Sequence, residues 1–145
     1  MNLRNILHAH RDAVSVQEQA AQQMEEACQE IDRVINNMVK PSFEEAERQI
    51  GEVGFDVSME VESRMLESHR HHFRFTAACT LTAGKSIPAS TLSFDGNPRN
   101  KSVDYTKVVG GLKHKDSFSA VVVTEEMVTK ELEIFVQEAF PSSCR

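Results

Sequence analysis

The chain has 145 residues, of which 40% are hydrophobic and 26% are charged, and its formal net charge at neutral pH is −6. This length and composition predict one globular domain and exclude a fibrous or largely disordered chain. No apolar run approaches the ~20 residues of a membrane span, and charge begins at Arg4, so we expect neither a spanning segment nor a secretory leader. Cytoplasm is the simplest expected location.

A long amphipathic helix is predicted at the N-terminus. From Leu3 to Met38, apolar or small residues recur at alternating steps of three and four, which keeps one seam on one side of a helix. This rhythm is typical of a helix that pairs with another helix. The helix is expected to end near Val39, because the residue before Pro41 disfavours helical geometry. The seam residues assigned to oligomerisation are Ala20, Met24, Ala27, Ile31, Val34 and Met38.

A second helical stripe follows Pro41 and runs over 43–53, with Glu44 and Glu45 near its N-terminus and Gly54 at its end. A proline near a first helical turn is compatible either with a kink in one helix or with a break between two. The sequence leaves these two alternatives open.

The hydrophobic period then changes to two, which predicts an antiparallel meander of four to five strands. The clearest alternations lie at 55–62 and 72–81, joined by an expected polar loop at 64–70. Turn formers at 95–98 and the Gly110-Gly111 pair are expected to separate the later strands. The weaker strand signals lie at 92–94, 103–109 and 118–122.

A last helix is predicted after Thr124, which is a suitable N-cap residue and is followed by Glu125 and Glu126. Its inner stripe contains Val128, Leu132, Phe135 and Ala139. The predicted fold class is α+β: a long N-terminal helix kinked or broken near Pro41, an antiparallel meander of four to five strands, and a C-terminal helix packed on one sheet face.

The seam on the first helix has more apolar surface than the predicted sheet can cover. Soluble monomers seldom leave such a face exposed to solvent. We therefore predict two units, a helix at 1–40 used for oligomerisation and a single α+β domain at 41–145. The expected function is a non-enzymatic, homodimeric protein-interaction module, such as an adaptor, a chaperone-like or an accessory protein. Its polar sheet face or an edge strand would remain for a protein partner.

Charge is unevenly distributed, which supports an alternative function. The segment 1–67 has a net charge of −8, the segment 68–115 of +6, and the segment 116–145 of −4. A basic sheet region between acidic helices is compatible with nucleic-acid or polyanion binding. The alternative explanation is that the basic sheet complements the acidic helices within the molecule. The anion-binding candidates are Arg70, Arg74, Lys85, Arg99, Lys101, Lys113 and Lys115.

A third alternative is a small-ligand binding protein or enzyme with a pocket between sheet and helices. The candidate lining residues are Phe73, Phe75, Tyr105 and Phe118, which are also explained as core. Neither a catalytic residue set nor a cofactor motif is predicted. The histidines at 69–72 lack a cysteine or carboxylate at ligand spacing, so no metal site is predicted. Cys28, Cys79 and Cys144 lack CxxC spacing and are expected to be reduced.

Overall fold

The computed structural model of the chain describes the backbone of residues 2–69, 72–84 and 89–141, and the side chains of residues 2–63, 75–84 and 89–141. Its helices are α1 (Leu3–Val34), α2 (Lys40–Val53) and α3 (Glu125–Ala139), and a π-helical segment (Ile35–Val39) joins α1 to α2. The predicted α+β fold, with its long N-terminal helix, antiparallel meander and C-terminal helix on the sheet, is confirmed. The strands are β1 (Val57–His69), β2 (His72–Ala83), β3 (Ser90–Asn97), β4 (Ser102–Val109) and β5 (Leu112–Ser119).

Helical backbone continues through Pro41, which resolves the choice between a kink and a break. Proline has no N–H donor, and its ring crowds the carbonyl group four residues earlier. In the π-helical segment, the Lys40 N–H donates to the Ile35 carbonyl five residues back. The Ser42 hydroxyl donates to the Met38 carbonyl at 2.8 Å. The chain is therefore one helical run whose hydrogen-bond pattern changes just before the proline.

The five strands form one antiparallel sheet in the order β1-β2-β3-β4-β5, so that each strand pairs with the next along the chain. Gly110 and Gly111 make the two-residue turn between β4 and β5, with φ angles of 61° and 79°. Residues with a β-carbon rarely adopt these φ angles, which explains why both turn positions are glycine. The edges of the sheet are β1 and β5.

Three sequence predictions about strand boundaries are wrong. Residues 64–69, predicted as a polar loop, continue β1 and pair with β2 across an irregularity between Arg64 and Glu67. The turn formers at 95–97 belong to β3 and pair with β4. The strand predicted at 118–122 begins at Leu112 and ends at Ser119. In each case, residues with a weak strand pattern of their own are held in an extended conformation because they pair with a neighbouring strand.

The hydrophobic core lies between the helices and one face of the sheet. Phe43 of α2 packs edge-on against Phe94 of β3, with ring centroids 5.8 Å apart, and Phe94 contacts Tyr105 of β4 at 5.7 Å. The Lys107 ammonium of β4 donates to the Glu138 carboxylate of α3 at 2.8 Å, which ties the last helix to the sheet. The largest fully buried side chains are those of Ile31, Val34, Ile35, Val39, Phe43, Leu81, Leu92, Phe94, Val103, Val128 and Phe135.

The opposite face of the sheet is polar, as the alternation predicts. The strand register places Glu62, Asp95 and Asp104 in one row across this face. In the next row, the hydroxyl oxygens of Thr80 and Ser93 lie 2.5 Å apart and form a hydrogen bond. We call this surface the open face. Glu60, Thr76, Thr80 and Thr91 also lie on this face and are exposed or half-buried.

Candidate interaction surface on the first helix

Helix α1 has two sections with different surroundings. From Leu3 to Glu26 every side chain is exposed except Val14 and Met24, which are half-buried. From Ala27 onward the helix packs on the sheet. We call residues 3–26 the projecting section; at 1.5 Å per residue its 24 residues extend for ~36 Å.

The structure divides the predicted oligomerisation seam between these two environments. Ala27, Ile31 and Val34 are buried in the core of their own chain. Met38 is half-buried and packs against the same core. Only Ala20, which is exposed, and Met24, which is half-buried, lie in the projecting section. A second chain could therefore not reach Ala27, Ile31 or Val34 without opening the core.

The projecting section carries large apolar side chains that are more than half exposed: Leu3, Ile6, Leu7 and Val16. Sequence reasoning included Leu3 and Ile6 in the apolar rhythm but missed Leu7 and Val14. Leu7 and Val14 are seven residues apart and lie on a helix face next to the predicted seam. This spacing could have indicated from the sequence that they belong to the apolar stripe. The apolar stripe of the projecting section is thus wider than the seam that was predicted.

Charge also changes along the projecting section. Its first half carries Arg4 and Arg11, and the Arg11 guanidinium lies 2.9 Å from the His8 ring nitrogen Nδ1. Its second half carries acidic residues that include Glu18 and Glu25. All these side chains are exposed. Asp12 also lies in the first half, where two arginines outnumber it, whereas the charged side chains of the second half, next to the sheet domain, are all acidic.

The structure does not bring the described anion-binding candidates together. Arg99 and Lys101 lie in the turn between β3 and β4, whereas Lys113 lies near the opposite ends of these strands. Ser119, which pairs with Ser102 next to Lys101, is six residue steps from Lys113 along β5, a separation of ~20 Å. Lys115 lies on the open face, in the row next to Asp104. The side chains of Arg70, Arg74 and Lys85 lie outside the described residues. Anion binding stays a prediction.

The described aromatic residues of the predicted pocket between sheet and helices pack against one another or the core. Tyr105 is buried and its ring centroid lies 6.4 Å from that of Phe118. Phe75 is half-buried and packs against the core. The side chain of Phe73 lies outside the described residues. A hollow of about 160 Å³ remains beside Phe94 and Phe118 under α3. A ligand role for this place stays a prediction.

A shallow groove of about 500 Å³ runs between α2 and α3. Ala46, Ile50 and Leu132 contribute apolar lining, and Glu125 and Glu133 contribute carboxylates. The groove is half open to solvent and lacks a described histidine, cysteine or lysine lining residue. Its lining thus combines apolar and acidic side chains from two neighbouring helices.

The titratable groups of the core favour structural roles. Burial, assisted by Glu25, raises the pKa of the Cys28 thiol to about 11. Burial raises the pKa of the Cys79 thiol to about 12, with the Glu44 charge as a further cause. Both thiols are therefore protonated and poor nucleophiles at neutral pH. Within the described residues, three or more histidine, cysteine or acidic side chains are nowhere grouped to hold a metal ion. The histidine motif at 69–72 lies outside the described side chains.

Searches against family models, curated proteins and solved structures found no match to this chain. The helices in the described part of the chain are too short or too polar to cross a bilayer.

Proposed function

We propose that this chain is a non-enzymatic protein-interaction module that forms a homodimer through the projecting section of α1. The observation that carries the proposal is the exposure of this section: Leu3, Ile6 and Leu7 are each more than half exposed on a helix that stands clear of its own core. Burying such side chains against a second chain contributes about 1.5–3 kcal/mol each when burial is complete.

The physics of isolated helices supports the same proposal. Helices in water are marginal without packing, and most helical stability in proteins comes from burying an apolar face. The projecting section has such a face but lies outside its own core. Pairing with another helix would bury this apolar face and stabilise the helix along its length.

Dimerisation through α1 leaves the open face and the edge strand β5 accessible. The open face combines hydroxyl groups with the carboxylates of Asp95 and Asp104. Such a polar surface suits a protein partner bound by hydrogen bonds and charge. This supports an adaptor or accessory role, in which α1 forms the homodimer and the open face of the sheet binds another protein.

Sedimentation velocity at micromolar concentration tests the dimer. We expect the wild-type chain to sediment as a dimer, and Leu3→Glu combined with Leu7→Glu to sediment as a monomer, because two charges enter the apolar stripe. Ile31 is unsuitable for this test, since it is fully buried and its loss would report on folding.

The matched control is Asn5→Glu combined with Gln19→Glu, which adds the same charge to exposed positions outside the stripe. This control should remain dimeric. A wild-type chain that is monomeric throughout the micromolar range would contradict the proposed function.

A further inference from the structure

We propose that two copies of this chain pair their projecting sections antiparallel, so that Arg4 meets Glu25 of the partner subunit and Arg11 meets Glu18 of the partner subunit. This inference rests on the proposed homodimer and adds its orientation, its register and the residues that set both.

A row of charged side chains carries the argument. Arg4, Arg11, Glu18 and Glu25 follow one another at intervals of seven residues, which is two helical turns, so all four lie on the same side of α1. All four are exposed, and none forms an ion pair with a described residue. Their signs along the helix are plus, plus, minus, minus.

This charged row borders the apolar stripe. Leu3, Leu7, Val14 and Met24 lie at the spacing of a helical seam, and Val14 and Met24 are the two half-buried residues of the projecting section. The next row along the same face consists of Ile6, Ala13 and Ala20, where small side chains allow a close approach of two helices. Charges that flank such a seam select partner and orientation in paired helices.

The order of the signs selects the antiparallel orientation. In a parallel pair in register, the two copies of the row lie on opposite sides of the seam, so no arginine of the row meets a glutamate of the row. In an antiparallel pair, the row meets its own reverse, and every arginine meets a glutamate. The two-fold symmetry of such a pair gives four ion pairs from two kinds of contact.

The register follows from the positions of the charges. The pair Arg4 and Glu25 and the pair Arg11 and Glu18 have the same midpoint, between Val14 and Ser15. The projecting section, from Leu3 to Glu26, has that midpoint too. An antiparallel pair in this register covers the whole projecting section and ends where each helix enters its own core.

The apolar residues fit the same register. Leu7 of one copy falls beside Met24 of the partner subunit, and Val14 lies near the two-fold axis. A second copy of this chain therefore complements the projecting section in both charge and apolar surface. This is why we commit to a second copy as the partner of this helix face.

Reversal of the charged row tests the orientation. A chain with Arg4→Glu, Arg11→Glu, Glu18→Arg and Glu25→Arg keeps a self-complementary row, so we expect it to form a homodimer with about the wild-type dissociation constant. Mixed with the wild-type chain, it should form heterodimers at least about tenfold more weakly, because like charges then meet at four places. A chain with only Arg4→Glu and Arg11→Glu should dimerise at least about tenfold more weakly than the wild type.

Cysteine cross-linking provides an independent readout. In a Cys144→Ser background, Leu7→Cys chains should cross-link with Met24→Cys chains and not with themselves. The native Cys28 and Cys79 are buried and do not interfere. A Leu7→Cys chain that cross-links to itself would indicate a parallel pair and overturn the inference.

The outcomes separate this inference from the proposed function. A wild-type dimer whose dissociation constant is insensitive to the charged row overturns the antiparallel register but leaves the homodimer standing. A wild-type monomer overturns both. Free mixing of the reversed-row chain with the wild type also overturns the register.

Discussion

Gly96 on β3 lies directly under Ile31 of α1, and its missing side chain determines how closely this helix approaches the sheet. A β-carbon at position 96 would stand 2.2 Å from the Ile31 Cγ2 atom. Ile31 is fully buried and belongs to the central core cluster, so it has little room to yield. The sequence marks Gly96 as a turn former, whereas its structural role is to admit a neighbouring helix.

We expect Gly96→Ala to lower the free energy of unfolding by about 1–3 kcal/mol, the usual effect of overpacking a core. Urea unfolding measures this change. The control is Gly51→Ala on α2, where an added β-carbon meets nothing within 4 Å. This control should raise the free energy of unfolding by roughly 0.5–1 kcal/mol, because alanine favours helix. Equal effects of the two substitutions would refute the role of Gly96.

Asp95 and Asp104 face each other across β3 and β4 on the open face. Burial, followed by the charges of Asp104 and Glu62, raises the pKa of Asp95 above its ordinary value. The folded state therefore holds the Asp95 proton more tightly than the unfolded state does. This contribution to stability is complete below the ordinary aspartate pKa, near 3.9, and is lost as the pH rises through the raised pKa.

The substitution Asp95→Asn should therefore raise the free energy of unfolding at neutral pH by about 0.2–1 kcal/mol, the range for like charges on paired strands. The gain should shrink as the pH falls toward 3.9. Chemical unfolding over a pH series checks both statements. Glu60→Gln, one row away on the same face, serves as control and should give a smaller change. A gain that grows on acidification would contradict this account of Asp95.

At the scale of elements, the π-helical segment keeps two helices facing one sheet. A π-turn contains about one residue more than an α-turn. Ile35, Val39 and Phe43 are all fully buried although they are spaced by four residues, a spacing that drifts around a regular α-helix. The extra residue corrects this drift next to Pro41, and both halves of the helical run keep their apolar sides on the core.

Deletion of the exposed Asn37, combined with Pro41→Ala, should convert the segment to a regular α-helix with the same residues buried. We expect the free energy of unfolding to stay within about 1.5 kcal/mol of the wild-type value, as for changes that conserve core volume. The control is deletion of Glu44, also exposed, which rotates Ala46 and Ile50 by about 100° from the core. It should lose at least about 2 kcal/mol. Urea unfolding followed by circular dichroism distinguishes these outcomes, and equal losses would contradict the register argument.

At the scale of the whole molecule, α1 joins the exposed projecting section, which we propose as an association surface, to a folded body. The buried residues begin at Ala27, and the sheet, α2 and α3 supply the rest of the core. The proposed pairing of the projecting section should therefore be separable from folding of the body. In the proposed dimer only the folded chain pairs, so dimerisation would add stability that depends on protein concentration.

A chain that lacks residues 2–23 should retain the folded body and lose the dimer. Its melting temperature should be independent of protein concentration, whereas that of the full chain should rise with concentration. Differential scanning calorimetry at several concentrations, together with sedimentation, provides the measurement. An unfolded truncated chain would show that the body needs the projecting section. A truncated chain that still dimerises would move the association surface elsewhere.

Local sequence patterns determined much of the architecture. The alternation from Val57 to Val61 predicted a half-buried strand, and Thr124 predicted the start of α3, where its side chain accepts from the Met127 N–H at 3.2 Å. The glycine pair at 110–111 predicted a tight turn. These predictions are correct because capping, turn geometry and two-residue periodicity depend on interactions between residues close together in the chain. The charged row of α1 is also local, and its spacing is legible from the sequence.

Only the tertiary structure decided which part of α1 is buried in the core and which part is exposed. The seam has the same rhythm from Leu3 to Met38, yet Ile31 and Val34 are buried in their own chain and Leu3 is exposed. Periodicity reports which side of a helix is apolar, but the hydrophobic effect is non-directional and does not specify what covers that side. The choice depended on contacts between residues distant in sequence, such as Ile31 over Gly96. The same reason explains β5, whose polar residues are held extended by β4.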